Sequence, residues 1–239
     1  MRYEELSVGQ LNVNTILGNG VKPEYEGENF HLVKAKTTAD LYYELLRRKG
    51  VSKDRIFSTL ALAEAAMTSD QGDTLYVWPG DHLVTASITW DKDNTRIIGV
   101  GSPNQAYQPG TLTNGGVRLS CVTTGISEIL NITGHYVQIH NLGTYNSFDI
   151  ATNYCDIRVA GKNFYGRRLS LRGGNGANQL AAIGSGVPLI VDTSVSGAGN
   201  GLLIEDSVIG SSGNNARTYG PGCVQFVGGT VSTGFGMAF

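Results

Sequence analysis

Cysteine pairs, charge and long apolar runs are scarce in this chain, and each scarcity excludes a class of protein. Cys121, Cys155 and Cys223 stand far apart in 239 residues with no C-x-x-C pair, which argues against a zinc site and against a disulfide framework. Charged residues make up 16% of the chain and its formal net charge is −2, whereas a nucleic-acid-binding protein needs a basic face. We therefore expect no nucleic-acid partner and no cofactor.

The N-terminal segment MRYEELSVGQLNV contains no extended hydrophobic stretch. A membrane span needs about 20 apolar residues, and a signal peptide needs an apolar stretch of about 7–15. The sequence therefore predicts a protein that is made in a cytoplasm and has no membrane partner.

Glycine and short apolar runs dominate the chain from Gly72 onward. Glycine contributes 33 residues, about twice its usual share, and the runs, of about four to six residues, mostly alternate with period two. Four longer segments share one form, an apolar strand followed by a small polar step and glycine, and they start at intervals of roughly 27 to 42 residues. These segments are TRIIGVGSPN, YVQIHNLGTYNS, YGRRLSLRGGNG and LLIEDSVIGSSGNN. Each interval holds three short strands, which favours an all-β solenoid with three faces, although a β-sandwich stays open.

Two helices are predicted before residue 70. The first, in TTADLYYELLRRKG, is expected to be capped by Thr37 or Thr38 and to form an apolar stripe of Leu41, Leu45 and Leu46. The second, in STLALAEAAMTS, is expected to begin at Ser58 and to present a small apolar face. Such a helix must lie against a larger apolar surface.

The segment around the second helix resembles the opening of right-handed parallel β-helix proteins. In that family a small apolar helix covers the N-terminal end of the solenoid, a Gly-Asp-Thr step starts the first strand, and Pro-Gly turns the first corner. The similarity covers about residues 52–239. The matching positions are Gly72, Asp73, Thr74, Pro79, Gly80, Ile97, Ile98 and Gly99.

This resemblance implies an all-β fold, a right-handed single-stranded parallel β-helix with an N-terminal arm and capping helices. Residues 1–50 are expected to form the arm and a helix for anchoring or packing, and residues 51–239 the β-helix domain with its capping helix and an apolar C-terminal tail. Side chains expected to stack along the axis are Leu75, Val77, Ile88, Ile97, Ile139, Leu142 and Val208.

A narrower resemblance lies in VSKDRIFSTLALAEAAMTSDQGDTLYVWPGDH followed by RIIGVGSPNQ. This segment is similar to β-helix proteins encoded by tailed bacteriophages, closely over about residues 51–105. The resemblance implies a decoration or cement protein on the capsid surface of a virion, made in the host cytoplasm, forming a homotrimer and binding the major capsid protein. The candidate partner-binding residues are apolar and aromatic side chains of the arm and tail: Tyr3, Leu6, Leu11, Val13, Ile16, Phe235 and Phe239.

Polysaccharide lyases and hydrolases also use β-helices, and their chemistry needs clustered carboxylates. Asp91 and Asp93 in WDKDN are expected to form a hydrophilic turn, and Glu205 and Asp206 in IEDS to point to opposite faces of a strand. We therefore expect no catalytic residue and no enzyme activity. The alternative is a tail receptor-binding protein, or a β-helix that binds or degrades polysaccharide, because exposed tyrosines can stack on sugars.

Basic residues also gather in one part of the solenoid sequence. A cluster of them could bind an acidic partner surface or a sugar acid, although a solvated sheet face is the simpler interpretation. The five are Arg158, Lys162, Arg167, Arg168 and Arg172.

Overall fold

The protein folds into short strands that follow one another around a coil. The structure, a computed structural model, describes residues 27–101, 116–121, 125–146, 155–173, 187–194, 200–210 and 224–228. In these ranges the strands are β1 (Asn29–Leu32), β2 (Ile56–Phe57), β3 (Thr74–Val77), β4 (Gly80–Leu83), β5 (Ile88–Trp90), β6 (Arg96–Gly99), β7 (Val117–Cys121), β8 (Glu128–Ile132), β9 (Gln138–His140), β10 (Gly143–Asn146), β11 (Cys155–Val159), β12 (Tyr165–Arg167), β13 (Ser170–Leu171), β14 (Val187–Asp192), β15 (Leu203–Glu205), β16 (Val208–Ile209) and β17 (Val224–Val227).

Three consecutive strands make one turn of the coil, from β3–β4–β5 to β15–β16–β17. Equivalent strands of successive turns pair in parallel, which builds three sheets. The first sheet has the order β2-β1-β3-β6-β9-β12-β15, the second β4-β7-β10-β13-β16, and the third β5-β8-β11-β14-β17. This arrangement is a single-stranded parallel β-helix, which confirms the predicted all-β solenoid. Crossovers between parallel strands take the right-handed sense in about 98% of cases.

The core is a stack of apolar side chains inside the coil. Leu75, Ile97 and Ile139 occupy equivalent positions in β3, β6 and β9 and are fully buried. Val77 and Leu142 are also fully buried. Because every turn places the same strand position above the last, each inward side chain buries its neighbours as well as itself. These five predicted core positions are confirmed.

Two predicted core positions behave differently. Ile88 is only partly buried, although it packs against the core. Val208 is 49% exposed, so its predicted burial was wrong. The next residue, Ile209, packs against the core instead. A shift of one residue in a strand moves the side chain to the opposite face, so the period-two pattern placed this strand out of register.

Asp40 is the N-cap of helix α1 (Leu41–Arg48), and the predicted cap at Thr37 or Thr38 was wrong. The Asp40 carboxylate accepts hydrogen bonds from the backbone N–H groups of Tyr42 and Tyr43, at 2.8 and 3.1 Å. This carboxylate satisfies two free N–H groups at the helix start. Of the predicted apolar stripe, Leu46 is buried, together with Tyr43, whereas Leu41 and Leu45 are 73% and 36% exposed.

Helix α2 (Leu60–Ala66) covers the N-terminal end of the coil, as predicted. Its cap is Thr59, whose hydroxyl accepts from the Leu62 N–H at 3.4 Å, and the predicted Ser58 was one residue early. Leu60, Ala63 and Met67 pack into the core beside β1. These small and flexible side chains allow the helix to sit close to the open end of the first turn.

Strand β1 lies before the predicted domain boundary at residue 50, yet it pairs with β3 inside the first sheet. Strand β2 pairs with the other edge of β1. The β-helix sheet therefore includes chain on both sides of that boundary. The assignment of residues 1–50 to anchoring stays a prediction.

Candidate functional site

The predicted partner-binding residues cannot be placed against this fold because all of them lie outside the described residues. Their assignment to a partner surface stays a prediction. They are Tyr3, Leu6, Leu11, Val13, Ile16, Phe235 and Phe239.

Asp91 and Asp93 lie in the loop that follows β5, at the end of the first turn of the coil. The Asp93 carboxylate accepts a hydrogen bond from the His135 backbone N–H at 2.6 Å, which joins this turn to the next one. Lys92 lies 3.3 Å from Asp91 and 3.4 Å from Glu64 of α2. Lys92 therefore links Asp91 to the capping helix, and Asp93 links this hydrophilic turn, which was predicted, to the second turn of the coil.

Glu205 and Asp206 do not point to opposite faces, and that expectation was wrong. Strand β15 ends at Glu205, and Asp206 has a φ of 50°, in the left-handed region that breaks strand alternation. Glu205 accepts from the Tyr165 hydroxyl at 2.7 Å, and Asp206 pairs with Arg167 at 3.2 Å. Both carboxylates therefore bond outward-facing side chains of the preceding turn.

The predicted basic cluster is divided among the faces of the coil. Arg158 lies on the third sheet, Arg167 lies on the first, and Arg172 directly follows β13 of the second. Lys162 and Arg168 lie in connecting turns. No joint basic surface of these five residues exists in the described structure, because the three-sided coil separates residues that are near in sequence.

The most distinctive polar feature is a group of two arginines and a tyrosine on the outer face of the second sheet. We call Arg118, Tyr145 and Arg172 the Arg–Tyr–Arg cluster. The Cζ atoms of Arg118 and Arg172 lie 4.7 and 4.8 Å from the centroid of the Tyr145 ring. At that distance the quadrupole of an aromatic ring attracts a guanidinium cation. One tyrosine thus contacts cations from the turns on either side of it.

Sheet register brings the cluster together. Gly143, which has no side chain, pairs with Arg118 on one side and Ser170 on the other. Tyr145 lies two residues after Gly143, and Arg172 lies two residues after Ser170. All these positions therefore share one face of the sheet. Gly143 places no side chain of its own next to Arg118 or Ser170.

Arg118 is neutralised by a carboxylate. Its Nε and Nη2 atoms donate to the two oxygens of Asp81 at 3.0 and 2.8 Å, a bidentate pair across the first two turns. Burial raises the pKa of Asp81, but hydrogen bonds from Arg118 and Ser120 outweigh it and leave the pKa below its usual value. Asp81 is therefore ionised at neutral pH and fixes Arg118 in its place.

Arg172 has no such partner within the described structure. Only 3% of its surface is exposed, and its Nε and Nη1 atoms have no hydrogen-bond acceptor. Its backbone N–H donates to the Thr144 hydroxyl at 3.3 Å, and its charge faces Tyr145. A buried cation with unfilled donors is costly, since each lost hydrogen bond to a charged group is worth about 1.5–3 kcal/mol.

A fully buried carboxylate lies next to this segment. One Asp156 oxygen accepts from the Thr144 hydroxyl and from the Gly173 backbone N–H, the latter at 2.8 Å. The other oxygen has no hydrogen-bond partner. Burial is the main cause that raises the pKa of Asp156, from 3.8 to about 6, and these hydrogen bonds oppose it only in part.

The His82 and His135 rings form hydrogen bonds with the backbone. The His82 ring bonds the Trp78 carbonyl through Nε2 at 2.8 Å, and burial lowers the pKa of this histidine. The His135 Nδ1 atom accepts from the Lys162 N–H at 3.1 Å. Across the described ranges, no group of three histidine, cysteine or acidic side chains is arranged to hold a metal ion.

Comparisons with known proteins give one structural likeness. No model of a known protein family matches the chain, and no curated protein matches it by sequence. A solved structure of a pectin methylesterase variant in complex with a hexasaccharide is similar to it at a TM-score of 0.43 and 14% identity, over 82% of this chain and 70% of that one. A likeness at this level assigns no activity. In the parts of the chain that the structure describes, no helix is long and apolar enough to span a membrane.

Sequence reasoning missed the Arg–Tyr–Arg cluster because its members come from three turns. A signal was present: when Asp81 and Arg118 are aligned as equivalent strand positions, they face each other with opposite charge. Finding it requires the register between turns, and the loops of unequal length hide that register in the sequence.

Proposed function

We propose that this protein is a structural virion protein of a tailed bacteriophage, a decoration or cement protein that binds the outside of the head. The observation that carries the structural role is the use of its acidic side chains. Asp81 bonds Arg118, Asp192 bonds Arg158, and Glu205 bonds Tyr165, each pair joining different turns of the coil. Carboxylates held in this way stiffen a rod and are not free for acid–base chemistry.

The phage assignment is supported by the sequence around the capping helix, which resembles phage-encoded β-helix proteins. The same segment forms the cap in this fold, where Leu60 and Met67 close the first turn. We further propose that the protein acts as a homotrimer, that its partner is the major capsid protein, and that it has no catalytic activity.

The capsid contact is proposed to involve the N-terminal part of the protein. Helices α1 and α2 leave Leu41 at 73% and Leu62 at 57% exposed, and exposed apolar side chains of this kind suit a contact with another protein. Cement action needs no single strong site. Many modest contacts, repeated by capsid symmetry, add up through avidity and stabilise the closed shell by mass action.

Immunogold electron microscopy of particles from the source lysate, with an antibody to this chain, tests the location. Label spread over heads is expected. Antibody preabsorbed with the purified protein is the control and must remove that label. Absence of label from every particle would overturn the virion proposal.

A second experiment tests the contact surface. Purified protein is mixed with heads stripped of it and sedimented with them, beside the variants Leu41→Glu and Leu83→Glu. Leu83 is also an exposed apolar residue, at 48%, but it lies on the second sheet. Loss of binding in the first variant alone is expected, and equal binding by both would refute the placement at α1.

An alternative function is binding of polysaccharide along the first sheet. Its outer face carries Gln138, His140 and Tyr165, and the rings of His140 and Tyr165 meet edge to face at 5.3 Å. Partly exposed aromatic and amide groups of this kind can stack on and hydrogen-bond sugars. Label at tail tips, together with retention on host surface glycan that Tyr165→Ala abolishes, would favour this function over the first.

A further inference from the structure

We propose that the Arg–Tyr–Arg cluster is a binding site for an oxyanion, a carboxylate or a phosphate group. This site is separate from the proposed capsid contact and does not depend on it. The proposal begins with Arg172, whose guanidinium is almost completely buried while its Nε and Nη1 atoms have no acceptor in the described structure.

The surroundings of Arg172 select for negative charge. The nearby Asp81 carboxylate is already held by Arg118 in a bidentate pair. The Tyr145 ring offers its face to both cations but removes no charge. Among the described residues no carboxylate forms an ion pair with Arg172, and Asp156 bonds the chain here through the Gly173 backbone N–H. Two donors of the Arg172 guanidinium therefore remain unfilled.

Two residues beside the arginines on this outer face, Gly143 and Ser170, are small. Gly143 contributes no side chain between Arg118 and Ser170, with which it pairs. Ser170 is buried beside Gly143, and its hydroxyl can donate to an oxygen atom. Tyr145 is half-buried, so it connects the cluster to solvent. Small neighbours of this kind suit a single carboxylate or phosphate group better than a bulky ligand.

The chemistry of the donors explains the preference for oxyanions. Guanidinium groups bind carboxylate and phosphate oxygens through short, charge-assisted hydrogen bonds. A carboxylate or a phosphate can accept from the arginine and from the serine through separate oxygen atoms. Chloride is a single spherical acceptor and has no second atom to offer. Binding should therefore discriminate an oxyanion from chloride at equal ionic strength.

The test is thermal unfolding of the full chain with sodium glucuronate, sodium phosphate or sodium chloride at matched ionic strength. A saturable rise in Tm with glucuronate or phosphate, absent with chloride, is expected, because a ligand that binds only the folded state stabilises it. Comparing the two oxyanions separates an acidic-sugar carboxylate from a phosphate as the preferred group. Equal, non-saturating shifts with all three salts would show a general salt effect and overturn the proposal.

Arg172→Gln tests the central residue. It is expected to remove the saturable shift, and without added anion it should unfold at the same or a higher temperature than the parent, because a buried charge is gone. Arg96→Gln, which removes an exposed arginine from the first sheet, is the matched control and should keep the shift. An unchanged shift in Arg172→Gln would refute the site.

Ser170→Ala provides a milder test that does not depend on the folding of the arginine variant. Removing one hydroxyl should weaken oxyanion affinity about threefold to tenfold, the loss expected for one hydrogen bond. Isothermal titration with the preferred anion measures this change. Unchanged affinity in Ser170→Ala would exclude Ser170 from the site and overturn its proposed location.

Discussion

Replacing Asp156 by asparagine should make the protein more stable at neutral pH and leave its stability nearly unchanged at pH 4. The native carboxyl has a pKa of about 6 because it is fully buried, whereas in the unfolded chain it returns to 3.8. Between these values the native state holds a proton that the unfolded state has released. The contribution of this group to stability therefore falls as pH rises from 3.8 through 6.

The magnitude follows from the difference between the two pKa values. Moving a pKa from 3.8 to about 6 corresponds to about 3 kcal/mol at about 1.4 kcal/mol per unit. Asparagine keeps an oxygen that can accept from Thr144 and Gly173, and it carries no charge at any pH. Its nitrogen takes the position of the oxygen that has no partner. The gain at pH 7.5 should therefore approach this value, reduced by the cost of an amide without an acceptor.

Urea unfolding of the parent and of Asp156→Asn at pH 4, 5, 6, 7 and 7.5 measures the effect. The difference in unfolding free energy should grow with pH and level off above about pH 7. Asp192→Asn is the matched control: hydrogen bonds from Ser194 and Arg158 outweigh burial and lower the pKa of Asp192, so its removal should destabilise at neutral pH and matter less in acid. A difference for Asp156→Asn that stays flat or shrinks as pH rises would refute the burial argument.

Three further changes test the packing of the coil. Leu60→Ala should lower the unfolding free energy by about 2–5 kcal/mol because it opens a cavity under the cap, and Leu62→Ala on the exposed side of α2 should cost much less; urea titrations compare them. Thr95→Val should cost about 1–3 kcal/mol, since the buried hydroxyl accepts from the Trp90 indole N–H at 2.9 Å, and calorimetry will show a lower Tm. Gly161→Ala should prevent or strongly weaken folding, because an added Cβ would overlap a carbonyl oxygen of the preceding turn; a parent-like circular dichroism melt would contradict this.

The fold could be predicted because the pattern that encodes it is local and repeated. Short alternating runs separated by glycine and asparagine indicate strands and corners, and the GDT and PG steps mark where the first turn begins. The capping helix could be expected because a solenoid needs a cover at its open end. The buried face of that helix was harder to predict. Ala61, Leu62 and Ala65 look as apolar as Leu60 and Ala63, and only the Thr59 start decides which of them point inward.

The candidate site could not be predicted because it depends on pairing between turns. Arg118 and Tyr145 are separated by 27 positions in sequence, and their contact exists only when β7 and β10 align with Gly143 opposite Arg118. The connections between equivalent strands differ in length from turn to turn. Sequence periodicity alone therefore gives the number of strands per turn more reliably than their register.

Ion pairs and hydrogen bonds between side chains of successive turns offer a physical reason for this register. Asp81–Arg118 joins the first and second turns, and Arg158 reaches Glu128 in the second turn at 3.7 Å and Asp192 in the fourth at 3.0 Å. Tyr165–Glu205 then joins the fourth turn to the fifth. The more exposed of these contacts contribute at most about 1 kcal/mol each to stability. Their larger effect is on alignment, because a slip of one residue would place a charged group among the core side chains that stack inside every turn.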